Sequence, residues 1–441
     1  MSHKILSVKH ALDYSLDTLC NSIAMFTDQA GISFTRNRKI PLKKLISFIL
    51  SIEGGTLKTE MLRFFGCSAK IASTSALVQQ RAKLSPDAFS SLFDLFVHKT
   101  DRSLTYRNLR LIAVDGSAFT IPTNPQHTDS YIQPKEGQKA YNLLHLSAMY
   151  DLLQHTYLDA EILGKKKANE RASLCNLVDR SSIPSALIIA DRGFESYNVM
   201  AHIQEKGWKF LIRIQDAQSS TSIASGLDLP SADSFDTFID LRLSNIQTKE
   251  NKILFQDKNR FKYLGSRFDF FSEEYYMSPR KPFYHLPFRV VRFKIADNTY
   301  ETVVTNLDKF NFPANELKIL YNMRWGIETS FRQLKYTIGL LHFHAKKVEY
   351  IYQEVFARLI MYNFTELITS PVIIRKADTK YAYKANFSVA VHVCRQFFLG
   401  NVSPPDVEAL IRRHVSPVRP GRSRPRKMTV KHAVSFVYRV A

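Results

Sequence analysis

The sequence predicts an α/β protein in which a mixed sheet with flanking helices is interrupted by a β-rich insertion and preceded by an α-helical N-terminal domain. Three observations predict this fold. Roughly the first hundred residues have helical periodicity, short apolar runs alternate with amphipathic segments after them, and short alternating runs follow from about residue 216. With 441 residues, 45% of them hydrophobic, the chain can bury a sizeable core and exceeds one typical domain.

These patterns divide the chain into five regions. They are a helical N-terminal region (1–105), a first part of the core (106–215), a β-rich insertion (216–305), a second part of the core (306–370) and a basic C-terminal region (371–441). In the first region, Ser73 gives a capping signal for a helix whose polar and basic face carries Arg81 and Lys83.

Two strands of the core are predicted to end in an aspartate. Strands are predicted at 109–114, 143–150, 156–163 and 187–190, with a helix at 171–180. Asp115 follows the first strand and Asp191 the fourth, each with a glycine close behind for a turn. An aspartate at a strand end is also a common helix cap or turn residue, so either one alone has that second interpretation.

A third acid lies in the helical stretch 321–335. At about 100° per residue, Tyr321, Arg324, Glu328 and Lys335 project within an arc of about 60° and form one polar stripe beside an apolar stripe. The stripe is predicted to lie at the rim of a buried face, where charges interact more strongly. Arg324 and Glu328, four residues apart, also fit an ordinary helix salt bridge.

Three carboxylates in these positions suit a metal-dependent nuclease. Asp115, Asp191 and Glu328 offer only oxygen ligands, which Mg²⁺ and Mn²⁺ prefer. Two such ions can hold both the attacking and the leaving oxygen of a phosphodiester.

Composition agrees with a polyanionic partner. The chain has 61 Lys and Arg against 40 Asp and Glu, a net charge of +21, which favours nucleic acid. We expect no membrane association, because the start has no signal-peptide core and no apolar run approaches the roughly 18 residues of a spanning helix. The four cysteines form no Cys-x2-Cys pair, which argues against a zinc knuckle, and the absence of a Walker loop argues against ATP.

Over nearly all its length the chain resembles the bacterial DDE transposases of the insertion-sequence-four family, which carry a YREK signature. The resemblance rests on the Tyr-x2-Arg-x3-Glu-x6-Lys spacing and on the Asp-Arg-Gly-Phe segment that begins at Asp191. It implies an RNase H-like core in which Asp115, Asp191 and Glu328 are the catalytic residues and bind two Mg²⁺ or Mn²⁺ ions. It also implies that Tyr321, Arg324 and Lys335 contact transposon-end DNA close to the cleaved bond.

Further DNA contacts are predicted from the same resemblance. We expect Arg192 and Arg332 to contact DNA, and Tyr300 lies where the family presents an aromatic side chain that stacks on a flipped base. The alternative for Tyr300 is packing within a strand. The family's N-terminal region reads transposon ends, so the helix with Arg81 is either a helix-turn-helix-like reader or a structural helix with solvated polar residues.

The predicted function is that of an insertion-sequence transposase acting in the bacterial cytoplasm, at the nucleoid. It would act as a homodimer on DNA, bind terminal inverted repeats and target DNA, and cut and join strands by a cut-and-paste route. That this route passes through a hairpin is implied only by the resemblance to the family. The Arg- and Pro-rich stretch 412–427 is predicted to be an extended arm that neutralises phosphates, or else a solvated tail. The alternatives are a catalytically silent DNA-binding protein and a nuclease without strand transfer.

Overall fold

A computed structural model describes all residues of the chain except 1, 28, 37, 135–137, 218, 266–268, 270–282, 373, 375–380, 420–436 and 439–441. Helices precede, interrupt and follow the strands. The helices are α1 (Ser2–Asn21), α2 (Leu42–Ser51), α3 (Leu57–Phe65), α4 (Thr74–Arg81), α5 (Asp87–Thr100), α6 (Glu170–Arg180), α7 (Tyr197–Glu205), α8 (Lys249–Leu254), α9 (Ala314–Met323), α10 (Trp325–Gln333), α11 (Val348–Thr369), α12 (Phe387–Phe398) and α13 (Pro404–Arg413).

The strands begin after the fifth helix. They are β1 (Arg110–Ile121), β2 (Tyr131–Ile132), β3 (Tyr141–Asp151), β4 (Thr156–Gly164), β5 (Ala186–Ala190), β6 (Lys209–Ile214), β7 (Phe235–Ser244), β8 (Phe261–Tyr263), β9 (Tyr284–Ala296), β10 (Thr299–Thr305), β11 (His342–Phe343), β12 (Tyr383–Ala385), β13 (Val415–Pro417) and β14 (Val437–Tyr438). None of the described helices is both long and apolar enough to span a membrane.

One large mixed sheet, as predicted, forms the centre of the molecule. Its strands follow the order β2-β3-β1-β5-β6-β10-β9-β7-β8, and β4 pairs with β3. The neighbours β1, β5 and β6 are parallel, whereas β3, β4, β9 and β10 are antiparallel to their partners. The strands of the region 216–305 therefore extend the same sheet.

Alternating side chains of β1 and β5 fill two cores, one on each face of the sheet. Leu111 and Ala113 join the N-terminal helices and α9 to α12 in the first core, while Ile112 and Val114 join α6 and α7 in the second. All five residues of β5 are buried because both faces of this parallel strand are covered. By the same alternation, Asp115 belongs to the face on which α10 packs.

Helix α4 directs its basic residue inward. Arg81 is buried, its Nε donates to Gln353 Oε1 at 2.8 Å, and its Nη1 lies 2.8 Å from Glu354 Oε1. The predictions of a DNA-reading or a solvated Arg81 are both wrong, because Arg81 is held inside the protein as the ion-pair partner of the buried Glu354 carboxylate of α11.

The C-terminal arm begins later than predicted. Arg412 and Arg413 end helix α13, and Arg412 forms an ion pair of 2.7 Å with Glu408, one helical turn earlier. The prediction of an extended chain from residue 412 is therefore wrong at its start. Residues 420–427 of the predicted arm lie outside the described residues.

Candidate active site

Asp115 and Asp191 occupy equivalent places on neighbouring parallel strands. The ladder between β1 and β5 ends with the pair Val114 and Ala190, and the two aspartates come next. The prediction that the first strand stops at Asp115 is wrong, because β1 continues to Ile121. Its backbone stays paired with the antiparallel strand β3 after β5 has ended. Asp115 thus borders the gap that β5 leaves in the sheet.

Each aspartate also serves its local backbone. Asp191 Oδ1 accepts a hydrogen bond of 2.8 Å from the Gly193 N–H, which shapes the turn after β5. Asp115 Oδ1 accepts one of 2.8 Å from the Gly116 N–H. The turn role considered for these residues is therefore present at Asp191, whereas Asp115 lies within a continuing strand. In both residues one carboxylate oxygen accepts a backbone hydrogen bond.

The Glu328 helix differs from the single continuous helix implied by the spacing. Helices α9 and α10 meet at Arg324, and a π turn over Leu334–Ile338 follows α10. Tyr321 and Arg324 are 2% and 3% exposed, so they are buried and not at a rim. Arg324 Nη2 lies 2.8 Å from Glu328 Oε1, so the predicted alternative of a helix salt bridge is also present. The glutamate side chain itself is 27% exposed.

Asp191 and Glu328 act electrostatically on Asp115. Burial raises the pKa of Asp115 to about 6, the Gly116 N–H opposes that rise, and the charges of Asp191 and Glu328 add to it. Such crowding of like charges disfavours ionisation, and a bound cation relieves it. In the described part of the chain, no three His, Cys, Asp or Glu side chains close around one point as a ready metal site. The donor set nevertheless suits Mg²⁺ or Mn²⁺ in its chemistry, since it consists of carboxylates alone.

The cations of the polar stripe lie along the same helices. The Arg324 guanidinium is 5.6 Å from the Tyr321 ring centre and 5.2 Å from that of Trp325. The buried Tyr321 hydroxyl has no hydrogen-bond partner among the described residues. Lys335 Nζ donates to the carbonyl of Ala118 on β1 at 2.8 Å, which ties the π turn to the strand that carries Asp115.

The other predicted DNA contacts are more dispersed. Arg192 is exposed in the turn after Asp191, and Arg332 is exposed on α10. Tyr300 is the second residue of β10, and the Arg292 guanidinium lies 4.2 Å from its ring centre, so one face of the ring is covered as the packing alternative requires. Because β10 is antiparallel to β6, its start shares the sheet edge where β5 and β6 end.

Two polar groups near this edge carry no motif in the sequence. Glu170 Oε1 lies 3.2 Å from His145 Nε2. Both side chains border Gly116 in β1, and Glu170 also borders Gly193 in the turn after Asp191. In the sequence, these two residues could have been noticed only as a histidine within the predicted apolar strand β3 and as an acid in the first turn of α6. Neither signal is specific, because isolated histidines and helix-start acids are common.

Comparison with known proteins identifies similar sequences. The family profile described as transposase DDE domain matches residues 107–364, a span that includes all three acids. Transposase InsG for insertion sequence element IS4, from Escherichia coli (strain K12), is 22% identical over 352 residues, or 76% of this chain and 71% of that protein. The cryo-EM structure of the piggyBac transposase synaptic complex with hairpin DNA has a TM-score of 0.45 and 11% identity, with coverage of 93% of this chain and 81% of that chain.

Proposed function

The chain belongs to the family of transposases with a DDE domain, and we propose that it is an insertion-sequence transposase that cleaves and joins DNA at Asp115, Asp191 and Glu328. One observation carries the assignment of these residues. Asp115 and Asp191 follow the last pair of one parallel ladder, and the charges of Asp191 and Glu328 both raise the pKa of Asp115. Convergent acids with a perturbed pKa at a sheet edge are typical of a catalytic centre.

The strand order supports an RNase H-like core. Strands β4, β3 and β1 are joined antiparallel, and β5 and β6 continue from β1 in parallel, with α6 between β4 and β5. Within this proposal, the strands of 216–305 are an insertion before the Glu328 helix. Residues 1–105 are the DNA-binding region, apart from the inward-facing Arg81.

Asp115, Asp191 and Glu328 would hold two Mg²⁺ or Mn²⁺ ions, which when bound supply an activated oxygen nucleophile and neutralise charge on the phosphodiester. The chain's own groups would prepare this site. Arg324 orients Glu328 through their 2.8 Å ion pair, and the Gly116 and Gly193 N–H groups orient the two aspartates. The apolar residues beneath exclude water on one side and strengthen each charge.

The DNA end would lie along the basic stripe beside these acids. Lys335, Arg332 and Arg192 offer positive charge to phosphates, and Arg324 and Tyr321 would approach the cleaved bond from below. Tyr300 would stack on a flipped base only after Arg292 moves from its ring. Binding as a homodimer, strand transfer and a hairpin intermediate are parts of the same proposal.

A DNA assay tests the proposal directly. The substrate is a labelled duplex that carries one inverted repeat from the DNA flanking the gene, incubated with Mg²⁺ and a target plasmid. Wild-type protein is compared with Asp115→Asn, Asp191→Asn and Glu328→Gln, and with Glu250→Gln, an exposed acid at the start of α8, as the control.

We expect joined product from the wild type and the control, and bound but uncut DNA from the three variants. Nicks without joined product would indicate a nuclease without strand transfer. Binding without any cleavage by the wild type would indicate a silent DNA-binding protein. A variant that still nicks DNA would remove that residue from the catalytic set.

A further inference from the structure

Glu170 is held at the start of α6 beside the proposed catalytic centre. The helix begins at Glu170, and the side chain of its cap, Asn169, accepts hydrogen bonds from the N–H groups of Arg171 and Ala172 at 3.1 and 3.3 Å. Arg171 Nε in turn donates to the Gly193 carbonyl at 3.0 Å, which links the helix start to the turn after Asp191. These bonds fix the position from which the Glu170 side chain extends.

The two glycines that follow the aspartates reveal where the Glu170 carboxylate lies. A Cβ placed on Gly116 would be 2.6 Å from Glu170 Oε1, closer than real Cβ contacts. A Cβ placed on Gly193 would be 3.1 Å from Asp191 Oδ1 and 3.4 Å from Glu170 Oε2. One oxygen of Glu170 therefore faces Gly116, the residue after Asp115 in β1, and the other faces the same point beside Gly193 as the Asp191 carboxylate.

A buried histidine holds this carboxylate from behind. His145 lies on β3, opposite Ala118 of β1, and is 4% exposed. Its Nε2 lies at the ion-pair distance of 3.2 Å from Glu170 Oε1. Among the described residues, neither ring nitrogen has a hydrogen-bond partner of good geometry. Burial of a polar imidazole ring costs free energy unless a polar partner compensates for the lost water, and Glu170 is the charged group beside this ring.

We propose that Glu170 is a fourth carboxylate of the metal site and that His145 is its positioning residue. The inference rests on the proposed function, because it needs the metal ions that Asp115, Asp191 and Glu328 would hold. Two divalent ions carry more positive charge than three carboxylates neutralise, and additional carboxylates raise metal affinity. The Glu170 carboxylate would bind a metal ion, directly or through a water molecule, on the side of the site that Asp191 and Gly193 border.

Metal binding to the full-length protein without DNA tests the inference. The probe is Mn²⁺, whose binding is followed by electron paramagnetic resonance. Glu170→Gln keeps the size of the side chain and removes its charge, so we expect Mn²⁺ affinity to fall about tenfold or more. Gly116→Ala keeps all four acids, but its Cβ would clash with His145 Nε2 and lie 2.6 Å from Glu170 Oε1, so it displaces the pair and should lower the affinity in the same direction.

Matched variants separate this role from general effects. Glu349→Gln removes an exposed acid from the first turn of α11, so it matches the change in charge and helix-start position and should leave Mn²⁺ affinity unchanged. His145→Leu should weaken Mn²⁺ binding, while His145→Gln, which can still donate to Glu170, should restore part of it. Melting temperatures of all variants report whether folding has changed.

The inference would be overturned if Glu170→Gln bound Mn²⁺ as tightly as the wild type while Asp115→Asn lost Mn²⁺ affinity. That result would leave the proposed function standing. An equal loss in Glu349→Gln would also overturn it, since net charge alone would explain the effect. Unchanged Mn²⁺ binding in Asp115→Asn and Glu328→Gln as well would reject the proposed metal site itself, and the role of Glu170 with it.

Discussion

Asp115 is a carboxylate whose charged form the fold disfavours. Burial and the charges of Asp191 and Glu328 raise its pKa to about 6 despite the hydrogen bond from Gly116. A carboxylate that only caps a turn has the opposite behaviour, because the N–H groups that it accepts from stabilise its charge. The residue therefore destabilises the metal-free protein, as is common for groups that serve a function.

Replacement of Asp115 is expected to stabilise the metal-free protein at high pH. The folded pKa of about 6 exceeds the reference value of 3.8, so the unfavourable contribution is absent below pH ~4 and complete above pH ~6. Asp115→Asn should therefore raise the free energy of unfolding by up to about 3 kcal/mol at pH 8 and leave it unchanged at pH 4. DNA cleavage should be lost. Urea unfolding at both pH values measures the change.

If Asp115→Asn instead lowered the free energy of unfolding at pH 8 by about 0.5 to 2 kcal/mol, the usual cost of removing a cap, that result would contradict the prediction. Asp191→Asn serves as the comparison, because its carboxylate accepts the Gly193 N–H and is expected to behave more like a cap.

At the scale of elements, α10 is docked on the sheet by buried hydroxyl groups. The Tyr157 hydroxyl of β4 shares a hydrogen bond of 2.8 Å with Ser330 Oγ, and Tyr362 of α11 donates to Gln333 Oε1 at 3.2 Å. A side chain at Gly326 would come within 3.0 Å of Leu152, so the absence of one there lets the helix approach β3. These contacts determine how closely α10, which carries Glu328, approaches the sheet that carries Asp115.

Removal of the Tyr157 hydroxyl is expected to loosen this docking. Ser330 Oγ donates to the Ile327 carbonyl at 2.7 Å, so Tyr157 is its donor. Tyr157→Phe and Ser330→Ala should each cost about 1 to 2 kcal/mol, and the double variant less than the sum, since they break the same bond. Thermal unfolding of the four proteins in this cycle measures the coupling, and strict additivity would contradict the shared bond.

At the scale of the whole molecule, the N-terminal helices are joined to the core by buried charges. Arg81 of α4 pairs with Glu354 of α11, and Glu354 Oε2 also accepts from the His344 N–H at 3.0 Å. Burial alone would raise the pKa of Glu354, but the Arg81 and His344 interactions lower it to about 2. The helices of residues 1–105 are thus part of one folded unit with the strands that carry the acids.

Arg81→Met is expected to destabilise the whole protein by about 3 to 5 kcal/mol, because it leaves Glu354 buried without its cation. Arg81→Met with Glu354→Gln should recover part of that loss, since the uncompensated charge is gone. Calorimetry should detect one shifted transition. A shift confined to a separate first transition would contradict a single folded unit.

The basic residues beyond α13 give a prediction about DNA affinity. The chain carries a net charge of +21, and Arg422, Arg424, Arg426 and Lys427 lie in the stretch outside the described residues. Their replacement by Gln should weaken binding to any duplex and flatten the salt dependence by about 0.9 per lost phosphate contact. Filter binding between low and moderate salt measures the slope. An unchanged slope would leave the stretch as a solvated tail.

The sequence by itself determined the family and the class of fold. The spacing of Tyr321, Arg324, Glu328 and Lys335 and the two strand-end aspartates led to the DDE transposases, which the profile match over residues 107–364 confirms. The predicted strands 143–150, 156–163 and 187–190 agree with β3, β4 and β5 to within about two residues, because an apolar run between polar turns is a local pattern. The first predicted strand, 109–114, ends too early, because β1 continues to Ile121. The catalytic role of the three acids stays a prediction.

Only the tertiary structure decided which charges are buried and which pairs meet. Arg81 is basic on a helix whose sequence gives no sign of burial, and it becomes internal because Glu354, far along the chain, neutralises it. Strand β1 runs past Asp115 because β3 keeps pairing with it, and Glu170 comes to border Gly193, after Asp191, because α6 starts beside the same sheet edge. Local periodicity sets which face a residue occupies, whereas its partner depends on contacts between distant segments, which periodicity does not encode.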